Sequence, residues 1–262
     1  MANSKRKCGK GGAMSIELLN WDCMLYMATL EDNAFDICIT SPPYNMNLRV
    51  NQKGDGYCSR QVVKEISTKY QNYSDNMPML EYQHFIESCI KELCRVSKVV
   101  FFNIQMITGN KPALFAAIGN LSPLLKETII WDKCVAQPAI NDGVLNSQFE
   151  FIFVFGGNPI ARRFENRNFS RGSESNIWKI PSNKTQTATH GAGFPLAIPE
   201  KILNLFAKNG CKVFDPFLGT GTSAIAAHYA GYDFVGCELD EDYYKAACKR
   251  FDAETKQQAM AI

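Results

Sequence analysis

Cys211-Lys212-Val213-Phe214-Asp215-Pro216-Phe217-Leu218-Gly219-Thr220-Gly221-Thr222 runs from a short apolar strand into a glycine turn, and the residues on its far side decide the fold. Residues 223–230 are small side chains over a helical length, and 234–237 are apolar again and close on Glu238. Strand, Gly-x-Gly turn, helix, strand and terminal acid form a half-fold suited to a nucleoside. The glycines let backbone approach a ligand, and a carboxylate after the second strand can accept from both ribose hydroxyls. No Gly-Lys-Ser/Thr succeeds the turn, so nucleotide triphosphate hydrolysis is unsupported.

Upstream, the same alternation of strand and helix recurs. Residues 16–19 read as a strand ending at Asn20-Trp21-Asp22-Cys23, 23–30 as a short helix, and 35–39 as a strand. Residues 80–97 place Phe85, Ile86, Cys89, Ile90, Leu93 and Cys94 on one helical face. Strands come next at 98–105, 127–131 and 149–155, with a helix at 111–118 opened by Pro112, a helix at 199–208, and a closing helix at 240–251. Such alternation implies an α/β fold, a mostly parallel sheet with helices on both faces.

The strand at 35–39 stops at Thr40-Ser41-Pro42-Pro43-Tyr44-Asn45. Two consecutive prolines cannot donate ladder hydrogen bonds, and each holds the preceding residue extended. The result is a rigid loop at the sheet's carboxyl edge, where open α/β sheets bind ligands. It offers a hydroxyl, proline carbonyls, an aromatic face and an amide, which suit a flat heterocycle bearing an amino group. A bare Pro-Pro is more often only a stiff turn; the full string is far more specific.

At 262 residues the chain suits one large core, and 46% hydrophobic with 21% charged residues is ordinary for a globular protein. A formal charge of +2 requires any nucleic-acid surface to arise from local clustering. No apolar stretch reaches the roughly 20 residues of a membrane span, and no apolar segment backs the basic N-terminus as in a secretory signal. The 10 cysteines are scattered without a Cys-x-x-Cys pair and only 3 histidines accompany them, so the expectation is a reducing cytoplasm and no metal.

Residues 1–13 are basic and Gly-rich and read as a disordered arm, leaving 14–262 as a single domain. Two stretches break its rhythm, at about 46–78 and 156–190. The first is long, polar and partly basic, and its place after the proline loop suggests closure over a substrate. The second sets Arg162, Arg163, Arg167, Arg171, Lys179 and Lys184 among Phe164, Phe169 and Trp178. That mixture suits phosphate contacts with base-edge hydrogen bonds; a solvated charged loop is the alternative.

Together these motifs resemble the β-group of S-adenosylmethionine-dependent DNA amino-methyltransferases, a Rossmann-like family whose catalytic block precedes its cofactor block. The likeness extends over roughly residues 14–251 and is strongest at 39–45 and at 190–238, including Phe194-Pro195. It implies S-adenosyl-L-methionine as cofactor. Asp215, Phe217, Gly219, Gly221 and Thr222 would line its methionine end, Glu238 its ribose, Asp22 and Cys23 its adenine, and Phe194 and Pro195 would complete the pocket. Trp21 stands where the family commonly has Gly. Ser41, Pro42, Pro43 and Tyr44 would be catalytic, with Tyr44 stacking on a base flipped from duplex DNA. Asn45, Arg162, Arg163, Arg167 and Arg171 are the expected substrate contacts.

The family further implies a bacterial or phage-type cytoplasm, a monomer or homodimer, and in some members a cognate restriction nuclease. Thr40-Ser41 and Ile39 match the cytosine-N4 pattern, whereas Asn45 is a companion of adenine-N6 enzymes. Cytosine N4 is favoured, with adenine N6 as the alternative. An RNA amino-methyltransferase, a DNA-binding module without turnover and a dinucleotide oxidoreductase are further rivals. The absence of a Pro-Cys pair argues against cytosine C5.

Overall fold

The computed structural model describes residues 4–8, 14–45, 76–138, 142–156, 161–182 and 194–259. Nine strands form one sheet: β1 (Ser4–Cys8), β2 (Ile16–Asn20), β3 (Phe35–Thr40), β4 (Ser97–Ile104), β5 (Leu125–Gln137), β6 (Ser147–Phe155), β7 (Ile177–Lys179), β8 (Lys212–Asp215) and β9 (Asp233–Glu238). Their spatial order is β1-β2-β9-β8-β3-β4-β6-β5-β7. The block from β2 to β4 is parallel throughout, as the alternating pattern predicts, and β1 and β6 run against their neighbours.

Helices α1 (Cys23–Met27), α2 (Met79–Val96), α3 (Lys111–Asn120), α4 (Ala197–Phe206), α5 (Thr222–Ala230) and α6 (Glu241–Ala259) divide between the two faces. Helix α2 turns Tyr82, Ile86, Cys89, Ile90, Leu93 and Val96 inward, onto Cys38, Val100, Phe102 and Phe153. On the other face, Ile198, Ile202 and Phe206 of α4 and the small residues of α5 cover Ile37, Ile39, Phe101 and Val213. Both faces are therefore buried, which explains the near-continuous apolar runs of β3 and β4.

The chain reverses its course across the sheet between β3 and β8. From β3 it proceeds through α2 to β4 on one side; from β8 it proceeds through α5 to β9 on the other. The connections leaving these two strands run to opposite faces, the topology that makes a crevice at the carboxyl edge and the usual ligand position in such sheets.

Several expectations from sequence need correction or limits. Residues 4–8 are not a free arm but an edge strand, antiparallel to β2, with Arg6 paired to Asp252 at 2.5 Å and Lys5 to Glu17 at 2.6 Å. Strand β5 runs well past the expected 127–131 and forms a long hairpin with β6, with irregular register between Asp132 and Gln137. Within the supposed DNA-contacting segment, Ile177–Lys179 adds a strand parallel to β5. The expected substrate-closing segment at 46–78 lies outside the described residues up to 75.

Candidate functional site

The proline loop leaves β3 with each of its polar groups in a defined role. Thr40, fully buried, donates from Oγ1 to Asp215 Oδ1 at 2.8 Å, tying this loop to the end of β8. The Tyr82 hydroxyl of α2 donates to the Pro43 carbonyl at 2.8 Å. Among the described residues, no donor takes the Pro42 carbonyl. The Ser41 hydroxyl lies 2.9 Å from the Tyr44 hydroxyl, which reaches Glu150 Oε2 at 3.0 Å and Asn103 Oδ1 at 3.3 Å. Burial and the Glu150 carboxylate push the Tyr44 phenol well above its ordinary pKa, so it remains protonated.

Asn45 is buried at φ +58°, in the left-handed region that Asn tolerates better than most residues. Its amide nitrogen donates to Met77 O at 3.0 Å and Gly109 O at 3.1 Å, and its oxygen accepts from Met77 N at 2.7 Å. Both amide hydrogens are thus taken. Asn45 is a clamp joining the two ends of the 46–76 segment, with no amide hydrogen left over for the substrate contact expected from sequence. Gly109 is required beside it, because a Cβ there would overlap the Asn45 carbonyl oxygen. Asn110 completes the support by donating to Tyr44 O at 3.0 Å.

Across the crevice, the glycine turn leaves β8. Gly219 (φ +53°) and Gly221 (φ +82°) adopt left-handed backbone that side chains resist. Gly236 in β9 has a different cause: its Cβ would lie 2.7 Å from Leu218 Cδ1, so the turn packs directly on the strand. Asp215 accepts from Thr40, from Phe217 N at 3.1 Å and from the Ser223 hydroxyl. It is a strut that couples the two loops, with little capacity left for a ligand. Phe217 packs edge-on against Phe85 of α2 at 6.0 Å. The Thr222 hydroxyl accepts from Arg250 of α6 at 2.9 Å, so it faces the turn's support.

Glu238 ends β9 beside this turn. Its Oε2 accepts from Gly219 N at 2.8 Å and its Oε1 from Asp240 N at 3.0 Å. A carboxylate has about four acceptor positions, so two remain. Asn20 of β2 donates to Glu238 O at 2.8 Å, and Trp21 N bonds the same oxygen at 3.1 Å, which places Asp22 and Cys23 alongside. Asp22 caps α1 through Oδ1, bonding Met24 N and Leu25 N at 2.8 and 3.0 Å. Burial pushes the Cys23 thiol up to about 12, leaving it a neutral, apolar contact. Phe194 is buried in the core layer beneath α4, and the Pro195 carbonyl accepts from Ile198 N at 3.0 Å, opening that helix at the same edge.

Burial raises the Asp215 carboxyl to about 6 and Glu238 to about 7, against the hydrogen bonds that favour their ionised forms. Folded pKa values above the unfolded ones mean the fold binds protons more tightly than the open chain. The resulting stability is complete below about pH 4 and is lost as pH rises through about 6 and about 7. His228, lowered by burial, acts in the opposite sense as pH falls through its ordinary range. Glu238→Gln, locked in a neutral form, is expected to flatten the decline in melting temperature as pH rises from about 4.5 to about 7. An unchanged slope would place the titrating group elsewhere.

The glycine turn and the proline loop thus meet at one edge of the sheet, tied by Thr40 and Asp215. A family model for DNA methylase, of the N6/N4 methyltransferase type, matches residues 35–249, spanning both loops. The chain belongs to the N6/N4 DNA methylase family. The type II β methyltransferase M.BslI of Bacillus sp. (strain NEB-606) is 28% identical over 273 residues, covering 90% of this chain and 27% of that protein. M.ScaI of Streptomyces caespitosus is 23% identical, covering 98% and 88%. The chain spans only 27% and 31% of the lengths of M.BslI and of M.BglI from Bacillus subtilis. Among solved structures, the cytosine-N4-specific PvuII DNA methyltransferase superposes with TM-score 0.65 at 15% identity, covering 92% of this chain and 86% of that one. The M1.HpyAVI–SAM complex superposes at 0.56 with 17% identity, covering 90% and 99%.

Two of the expected arginine contacts, Arg162 and Arg167, are anchored away from the carboxyl edge. Arg162 pairs with Glu127 near the start of β5 at 2.6 Å, and Arg167 donates to Phe164 O at 3.0 Å. Arg163 and Arg171 are exposed on the same excursion. That excursion is held to the amino edge: Lys208 bonds Arg167 O at 3.0 Å and Asn168 N bonds Leu205 O at 2.8 Å, both beside the end of α4. The interleaved aromatics are core. Phe164 and Phe169 pack on Phe206 at 4.8 and 5.6 Å, and Trp178 is buried. Strand β3 alone, at about 3.3 Å per residue, puts roughly 20 Å between the edges.

Replacing Arg162, Arg163 and Arg167 together with Ala is accordingly expected to leave the salt dependence of DNA binding unchanged. A slope flattened by about 0.9 for each phosphate no longer neutralised would return these residues to the DNA interface. Lys184, a further basic residue of that stretch, lies outside the described residues. The groups that no sequence motif marks are Tyr82, Asn103, Lys133, Glu150 and Arg250. Each comes from another element or carries an ordinary residue type, so no local signal could have found it. Among the described residues, no three His, Cys, Asp or Glu side chains gather as for a metal ion, and no helix is long and apolar enough to cross a membrane.

Proposed function

We propose that this chain transfers a methyl group from S-adenosyl-L-methionine to the exocyclic amino nitrogen of a base flipped out of duplex DNA, at cytosine N4. One observation carries the reading: the Thr40–Asp215 bond at 2.8 Å joins an amino-accepting loop to a nucleoside-type turn across one crevice. The cofactor fits the donor set. Glu238 keeps two acceptor positions for ribose hydroxyls, the left-handed glycines leave backbone exposed to the methionine portion, and Asp22 with Cys23 borders the ring. When bound, S-adenosyl-L-methionine supplies an electrophilic methyl on a sulfonium.

The chain's own residues prepare the nucleophile. An exocyclic amino nitrogen is a weak one because its lone pair is delocalised into the ring. Acceptance of its two N–H groups by the Ser41 hydroxyl and the Pro42 carbonyl holds the nitrogen pyramidal with its lone pair aimed at the methyl. Rate then comes mainly from positioning and from preorganised dipoles. The Tyr82–Pro43 bond supports this assignment, since it occupies the rival carbonyl.

Cytosine N4 is favoured over adenine N6 by Ile39-Thr40-Ser41, and the principal signal for adenine, Asn45, is an internal clamp here. DNA from bacterial cells expressing the chain should show N4-methylcytosine at one fixed short sequence when read by modification-aware sequencing. N6-methyladenine in that role would overturn the choice of atom, and the absence of any fixed context would overturn site-specific modification. The setting we infer is a bacterial or phage-type cytoplasm, as relatives from Bacillus and Streptomyces support, with or without a cognate restriction nuclease.

A further inference from the structure

Two charged side chains lie buried beneath the proline loop without contacting the crevice. Lys133 of β5 and Glu150 of β6 form an ion pair at 2.7 Å, with side chains only 3% and 9% exposed. Lys133 Nζ also stands 5.5 Å over the Trp131 ring. Burying such a pair is costly, and replacement by apolar residues is commonly neutral or stabilising, so its presence asks for a reason. Glu150 turns one oxygen to Lys133 and the other to the Tyr44 hydroxyl at 3.0 Å. Tyr44 in turn meets Ser41 at 2.9 Å.

We propose that Glu150, fixed by Lys133, is a positioning residue that sets the direction of the Ser41 hydroxyl through Tyr44. The inference rests on the methyl-transfer reading above, in which Ser41 must accept from an amino group. A phenol has a single hydrogen. The two other oxygens within reach, Glu150 Oε2 and Asn103 Oδ1, can only accept, and the carboxylate is both nearer and charged. Tyr44 therefore donates inward to Glu150. Its oxygen is left to accept, so the Ser41 hydrogen points to Tyr44. Both Ser41 lone pairs then face outward, and the serine meets the target nitrogen as an acceptor. Left alone, a serine hydroxyl would rotate and present its own hydrogen to the incoming N–H part of the time.

Glu150→Gln tests this without changing shape. Lys133 has three donors and no acceptor, so the amide must turn its oxygen to Lys133 and its NH2 to Tyr44. The phenol hydrogen is then displaced toward Ser41 or toward the weaker Asn103 position. The expected result is a fall in kcat of about tenfold, the worth of one misdirected hydrogen bond, with cofactor affinity unchanged. Adding Lys133→Met frees the amide to present its oxygen to Tyr44, and the double variant should recover most of the rate per cofactor-binding site. A merely structural role predicts no such rescue. A Glu150→Gln rate within about twofold of wild type, or a double variant as slow as the single one, would overturn the inference.

Should Glu150→Gln lose cofactor binding, Tyr44→Phe decides. It removes the relay atom and should slow transfer several-fold with cofactor and DNA affinities intact; an unchanged rate refutes the proposal. Failure of the broader reading looks different, since wild type itself would then methylate nothing.

Discussion

Glu238→Ala is expected to weaken S-adenosyl-L-methionine binding by about 2–4 kcal/mol, at roughly 1.5–3 per charge-assisted bond less partial compensation by water. At about 1.4 kcal/mol per decade, that is a loss of some thirtyfold to several hundredfold in Kd. The structure gives the loss a second source. The same carboxylate holds Gly219 N and Asp240 N, so its removal also releases the turn that meets the ligand. Glu238→Gln keeps one acceptor and should lie between the two. Calorimetry of the three proteins measures the series directly, and unchanged affinity in the alanine variant would remove Glu238 from the cofactor site.

Ser41→Ala should abolish methyl transfer to within assay limits while leaving cofactor affinity as it was. Loss of a preorganised polar group at the reacting centre typically costs about 10²–10³ in rate. Here it also removes the outer end of the Glu150–Tyr44 chain. The separation between transfer and binding comes from the geometry. Thr40, not Ser41, bonds Asp215 and so links this loop to the cofactor turn. A variant that lost cofactor binding along with activity would mean that Ser41 supports the turn. Single-turnover rates measured at saturating cofactor distinguish these outcomes.

Much of the fold, and the two loops that frame the candidate site, are legible in the sequence for a shared physical reason. Features written by local chemistry survive being read locally. Pro42-Pro43 can only end a strand, Gly219 and Gly221 mark a left-handed turn, and α2 repeats its apolar residues at helical spacing. Strand β7 was not legible, because three residues placed by one buried Trp178 carry no periodicity. The arginine segment misled for the converse reason: aromatics among basic residues look the same whether they stack on bases or, like Phe164 and Phe169, pack on Phe206. Asn45 looks like a substrate contact in sequence because an amide in that loop suits a heterocycle, whereas its partners Met77 and Gly109 lie 32 and 64 residues away. Glu150 and Lys133 are ordinary surface types, and only strand register brings them under Tyr44.

Methyl transfer to DNA is tested most directly by incubating the intact chain with duplex DNA and S-adenosyl-L-methionine carrying a labelled methyl group. The DNA is then digested and its nucleosides are weighed by mass spectrometry. Label is expected on an exocyclic amino nitrogen, as N4-methylcytosine, with none at cytosine C5 and none on RNA supplied instead. Label at C5, label on RNA alone, or no label from a chain that binds the cofactor would contradict the proposed reaction.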